Sequence, residues 1–163
     1  MLNGLPADTG NVVIAPGTSP AAGMVMNADG TIATATTTLP GTYTFPYTIC
    51  SVFDPTICAT AQASLTVDSV VVATDDGYGT VQPGAVTVSV LVNDTLNGHP
   101  ATLTNVTLTP GMPSDTGLTM DDNGVITVAA TTPPGTYAYS YTICSIIDPG
   151  VCDTAEATMG SLR

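Results

Sequence analysis

A chain of 163 residues has room for one large domain or two modest ones. Thirteen acidic residues stand against a single basic one, Arg163, and the resulting net charge of −12 excludes nucleic acid as a partner, because phosphate contacts need Lys and Arg. No membrane insertion is expected either, since no apolar run approaches the ~18–20 residues that a spanning helix needs.

Threonine is the commonest residue, Gly and Pro are plentiful (16 and 13), and the helix formers Lys, Arg and Glu nearly vanish. With 44% apolar residues this is a β-protein composition with material for a core. The opening MLNGLPADTG has neither a charged n-region nor an apolar h-region, so an export signal is expected outside this stretch. NADG at 27–30 reads as a tight hairpin turn, because Asn and Gly tolerate the positive φ such turns require. From 42 to 49 the chain alternates, placing Tyr43, Phe45, Tyr47 and Ile49 on one face and Thr42, Thr44 and Thr48 on the other, with Cys50 continuing the threonine row. On the returning strand Ala59, Ala61, Ala63, Leu65 and Val67 form the inner row, and Cys58, Thr60, Gln62 and Ser64 the outer one.

The chain then repeats itself. LNGLPA at 2–7 returns as LNGHPA at 96–101, and PGTYTFPYTIC at 40–50 as PGTYAYSYTIC at 134–144, an offset of 94 residues without insertion or deletion. Residues 69–94, SVVVATDDGYGTVQPGAVTVSVLVND, occur once. Strands are expected at 69–74 and 85–92 in this single-copy segment, and near 104–109, 117–121, 124–130, 135–144 and 152–159 in the second copy. DDNG at 121–124 is a second hairpin turn, and nothing reads as a helix.

Seven short strands with turn signals between them predict an all-β fold of tandem immunoglobulin-like β-sandwich modules with a 94-residue repeat. Residues 69–163 form a complete seven-stranded module, and residues 1–68 one that lacks its first two strands. VLVNDTLNG at 90–98, ATDDGYGTV at 73–81 and TPPGTYAYSYTICSIIDPGVCDTAEAT at 132–158 resemble the tandem Ig-like (cadherin-like) repeats of large secreted bacterial surface proteins and fibrillar adhesins. The resemblance implies a β-sandwich, an extracellular location at the bacterial cell surface, and no catalysis.

The repeated pair YTICSVFDPTIC and YTICSIIDPGVC allows a metal site, a redox site or a disulfide. Zinc needs four ligands, and each module offers two thiols and at most one distant His. A redox thiol needs a nearby cation or helix N-terminus. Alternation instead puts both cysteines of each pair on the outer face of one hairpin, where facing Cβ atoms lie within disulfide reach. The expected bridges are Cys50–Cys58 and Cys144–Cys152, and they imply an oxidising compartment.

Asp121 and Asp122 are explained by turn chemistry. Asp68, Asp75, Asp76, Asn93 and Asp94 bracket the junction between modules and allow two readings: strand-end capping, or a calcium site built from their oxygens. No other cofactor is expected. His99, matched by Leu5 in the first copy, reads as an exposed loop residue, and Asp153, which interrupts an inner row, as a solvated one at a strand's mouth. With no Lys and one His, no nucleophile–base pair can be assembled, so no catalytic residue is assigned and no enzyme is expected. The expected function is a non-catalytic stalk or fibre module of an extracellular bacterial adhesin, with neighbouring modules of the array as partners. One alternative is a filament subunit, in which an identical chain donates strands to the incomplete first module. Another is a ligand-binding Ig-like module.

Overall fold

A computed structural model describes residue 4 and residues 6–162. The start of the repeated Leu-Asn-Gly segment, Leu5 and Arg163 lie outside the described residues. The chain divides into two compact units, Met1–Asp68 and Ser69–Arg163.

In the first unit β1 (Val12–Pro16), β4 (Gly41–Ser51) and β5 (Cys58–Val67) form a sheet in the order β1-β4-β5, and β2 (Met24–Met26) pairs with β3 (Ile32–Thr34) as a hairpin. Alternation decides the inner face. Phe45 is buried with Met24 and Met26, and Ile14, Ile32, Tyr43, Tyr47, Ala63 and Leu65 pack around them half-buried.

The second unit continues with β6 (Val71–Val72), β7 (Asp76–Val81), β8 (Val86–Ser89), β9 (Thr95–Leu96), β10 (His99–Pro100), β11 (Val106–Pro113), β12 (Leu118–Met120), β13 (Val125–Val128), β14 (Gly135–Ser145) and β15 (Cys152–Ser161). A four-stranded sheet β11-β14-β15-β7 and a three-stranded sheet β12-β13-β8 enclose one core, with a small sheet β10-β9-β6 beside them. Each unit is therefore built on an all-β, immunoglobulin-like sandwich plan. The repeat extends to the register: Val12 faces Ser51 as Val106 faces Ser145, and Met24 faces Thr34 as Leu118 faces Val128. Both hairpin turns end on a glycine of positive φ, Gly30 at 85° and Gly124 at 78°, a conformation that costs glycine no Cβ clash.

The single-copy segment departs from its expected strands. The strand expected at 69–74 shrinks to Val71–Val72, and the one at 85–92 ends at Ser89. There the Ser89 hydroxyl accepts a hydrogen bond from Leu91 N (3.2 Å) and turns Val90–Asn93 into a short 3-10 helix, which buries Val90 and Leu91. β7, over residues expected to be loop, pairs parallel with β15.

Candidate functional site

Three places gather what chemistry the chain carries. The first is the clasp. Cys50 sits directly opposite Cys58, and Cys144 opposite Cys152, at the loop ends of the β4–β5 and β14–β15 hairpins. Each pair is joined as a disulfide, with Cα atoms 4.1 and 4.0 Å apart. Below each bridge the loop closes the same way: Ser51 N donates to Ile57 O (2.9 Å), and Ser145 N donates to Val151 O (3.0 Å). The Asp54 carboxylate accepts from Thr56 Oγ1 (2.6 Å) and Thr56 N (3.1 Å), and these bonds hold it below the usual carboxylate range. Both sulfurs of each pair are on the outer side, and the loop tips expose Phe53 and Ile147.

The second place is a buried acid–tyrosine cluster in the second unit. Tyr141, wholly enclosed, points its hydroxyl at four oxygens: Asp76 Oδ2 (3.0 Å), Thr74 O (3.1 Å), Val90 O (3.3 Å) and Asp94 Oδ1 (3.3 Å). Asp94 Oδ1 also accepts from Thr74 N (2.8 Å), while Asp94 Oδ2 is buried without a hydrogen-bond partner. A phenol carries one proton and cannot donate to four acceptors at once, so these oxygens compete for it. Burial pushes Asp76 up to about 6, against the opposing hydrogen bond from Tyr141, and the neighbouring Asp94 and Asp75 charges push the same way. Burial also raises Asp94, and burial with the two carboxylates holds Tyr141 far above the ordinary phenol range.

This arrangement bears on calcium. Of the five residues read as oxygen donors, Asp76 and Asp94 turn inward to Tyr141. Asp75 Oδ1 accepts from Glu156 N (2.9 Å), and Asn93 Nδ2 donates to Asp75 O (3.2 Å). Asp68 belongs to the first unit. Among the described residues no group of three or more His, Cys, Asp or Glu is placed to hold a metal ion. Asp76 Oδ2, Asp94 Oδ1 and Asp75 Oδ1 are engaged by the protein's own donors, whereas Asp94 Oδ2 is not.

Asp121, His99 and Asp153 are held by local structure. Asp121 Oδ1 accepts from Val125 N and Asn123 N (both 2.9 Å), as a turn residue does, and these bonds lower its pKa. His99 is half-buried in β10, not in an exposed loop, because its strand pairs with β9. Asp153 is not merely solvated: its Oδ2 accepts from Ala73 N (2.9 Å), tying β15 to the segment after β6. The inward turn of Asp76 and Asp94 was not read from the sequence. The signal available for it was Tyr141 deep in an inner row of three tyrosines, Tyr137, Tyr139 and Tyr141, since a buried phenol needs a polar partner.

The third place is the inner face of the first unit, where Tyr47, Ile49 and Ala63 stay partly exposed beside a groove of about 310 Å3.

No protein-family model matches the chain, and no curated protein does. Solved structures of cadherin repeats are similar to it. Drosophila N-cadherin EC1-4 is 14% identical, with a TM-score of 0.42, over 94% of this chain and 41% of that one. Mouse cadherin-23 EC22-24 is 12% identical, with a TM-score of 0.46, over 93% and 52%. The protocadherin gammaB7 EC3-6 cis-dimer structure is 14% identical, with a TM-score of 0.42, over 91% and 42%. The chain thus spans about half or less of the length of the structures it matches.

Proposed function

We propose that the chain is a pair of non-catalytic spacer modules, a stalk or fibre segment of an extracellular bacterial surface protein of the adhesin kind. The observation that carries this reading is the sameness of the two units. Strand register, turn glycines and clasp all recur at the 94-residue offset, so the residues that repeat are those that build a scaffold. Two disulfides in so small a chain support an oxidising, extracellular setting. No helix among the described residues is long and apolar enough to cross a membrane.

A spacer has to bear load, and pulling the chain from its two ends by single-molecule force spectroscopy tests that. Each unit should resist as one cooperative event. Reduction should lengthen the released chain by roughly 25 Å per module, as eight more residues extend at ~3.3–3.6 Å each. A chain that pays out gradually under low force would overturn the spacer role.

A further inference from the structure

In the second unit, residues 69–94 act as a lid on the sandwich. Val71, Val90 and Leu91 are buried in one cluster with Ile126, Tyr141, Ile143, Ala155 and Ala157. The lid also adds two strands: β7 lies parallel to β15, with Asp76 facing Ala157 and Val81 facing Ser161, and β8 lies on β13, with Ser89 facing Val125.

Ninety-four residues earlier the receiving face is present with nearly the same chemistry. Ile32, Tyr47, Ile49, Ala61 and Ala63 stand where Ile126, Tyr141, Ile143, Ala155 and Ala157 stand in the second unit. The second set is 5% exposed or less, whereas the first is half-buried, with Ala61 exposed. Among the described residues the first unit's sheets end at β5 and β3, the edges that β7 and β8 would extend. A groove on the same face has Val12, Ile14, Met26, Tyr47, Ile49 and Ala63 for its apolar lining and Asp8 and Asp29 at its polar side. An apolar floor flanked by two unpaired strand edges is a site for an extended segment, since it offers backbone partners and side-chain burial together.

We propose that this groove is an acceptor for a segment of the 69–94 kind, joined directly ahead of the module body as residues 69–94 are joined to residue 95. The register carries over with the offset. The β7-type strand would run parallel to β5, setting its Asp76 position against Ala63 and its Val81 position against Val67. The β8-type strand would set its Ser89 position against Thr31. Its aspartate then reaches Tyr47, as Asp76 reaches Tyr141. A second copy of this chain is the weaker occupant, because its own 69–94 segment is already buried in its own core. The inference goes beyond the spacer reading and does not depend on it.

The test adds a duplicate of residues 69–94 directly ahead of Met1 in the full chain and follows amide hydrogen exchange along β5. At least about tenfold slower exchange from Ala63 to Val67, absent when the added segment is scrambled, is the expected result. Unchanged exchange, or equal slowing by the scrambled segment, overturns the proposal. So does a 163-residue chain that dimerises with β5 already protected, which would make the occupant a second copy. If the extended chain does not fold, a free peptide of residues 69–94 is titrated onto the 163-residue chain. Slowing of the same amides supports the proposal, and none at saturating peptide overturns it.

Discussion

Tyr47 and Tyr141 occupy the same position of the repeat, yet Tyr141 is wholly enclosed with its hydroxyl among four oxygens, and Tyr47 is partly open. The difference comes from residues 69–94, which supply Thr74, Asp76, Val90 and Asp94 to Tyr141. Tyr141→Phe should therefore cost the second unit about 1–3 kcal/mol, because it leaves buried acceptors without their donor. Tyr47→Phe should change the first unit by no more than ~0.5 kcal/mol. Urea unfolding followed separately for each unit by NMR checks both, and equal losses would mean that the cluster contributes nothing.

The same cluster sets a pH dependence. Asp76 sits near 6 in the folded chain, against 3.8 for an ordinary aspartate, so between those values the folded form binds a proton that the unfolded chain has released. The stability from this group is fully present below about 4 and is lost as pH rises through about 6. Asp94 is shifted in the same direction. Asp121 in the second unit, like Asp29 and Asp54 in the first, is shifted the other way by turn hydrogen bonds, so its contribution is lost as pH falls below the ordinary aspartate value. The urea midpoint of the second unit should rise from pH 7 to about pH 4.5, then fall in stronger acid. Asp76→Asn should flatten the rise, and a midpoint that drops steadily from pH 7 would contradict the assignment.

Much of the fold was legible because the β2–β3 and β12–β13 turns carry Asn, Asp and Gly, and because β4, β5, β14 and β15 alternate over most of their length. Their faces follow from the period of two alone. β7 was not legible. Its sequence, DGYGTV, carries two glycines and no apolar alternation, and it is held by parallel pairing to a strand about 80 residues away. The 3-10 helix at Val90–Asn93 was hidden for a different reason. VLVN has the composition of a strand, and only the Ser89 cap and the need to bury Val90 and Leu91 turn it inward. Asp76 and Asp94 looked like strand-end carboxylates because a sequence shows charge but not the buried phenol that waits for it.

The clasps should matter unequally. Closing a loop of about eight residues contributes roughly 2–3 kcal/mol on the chain-entropy account. That loss should be survivable in the second unit, which buries a continuous core, and much less so in the first, whose inner face is partly open. Adding reductant should therefore unfold the first unit at a lower denaturant concentration than the second. Cys50→Ser with Cys58→Ser should reproduce this without reductant, and Cys144→Ser with Cys152→Ser should leave the first unit unchanged. Two units that lose stability in step would show that their cores are equally closed.

Calcium should leave both unfolding midpoints where they are. An ion of this kind takes six to eight oxygens, and extracellular modules bind it with dissociation constants of ~0.1–1 mM. A site at the weaker end of that range would add about 1.4 kcal/mol at ~10 mM calcium, well within measurement. One oxygen of each of three carboxylates is engaged by the protein's own donors: Asp76 Oδ2 and Asp94 Oδ1 by Tyr141, and Asp75 Oδ1 by Glu156 N. Asp94→Asn separates the two situations. If the carboxylate served an ion, the substitution would weaken the second unit only when calcium is present. In the arrangement seen here Asp94 Oδ1 meets both Thr74 N and the Tyr141 hydroxyl, so the amide that keeps this acceptor puts its NH2 group at the buried Oδ2 position, while removing a buried charge. Asp94→Asn should then shift the midpoint at pH 7 by the same amount with calcium and with chelator.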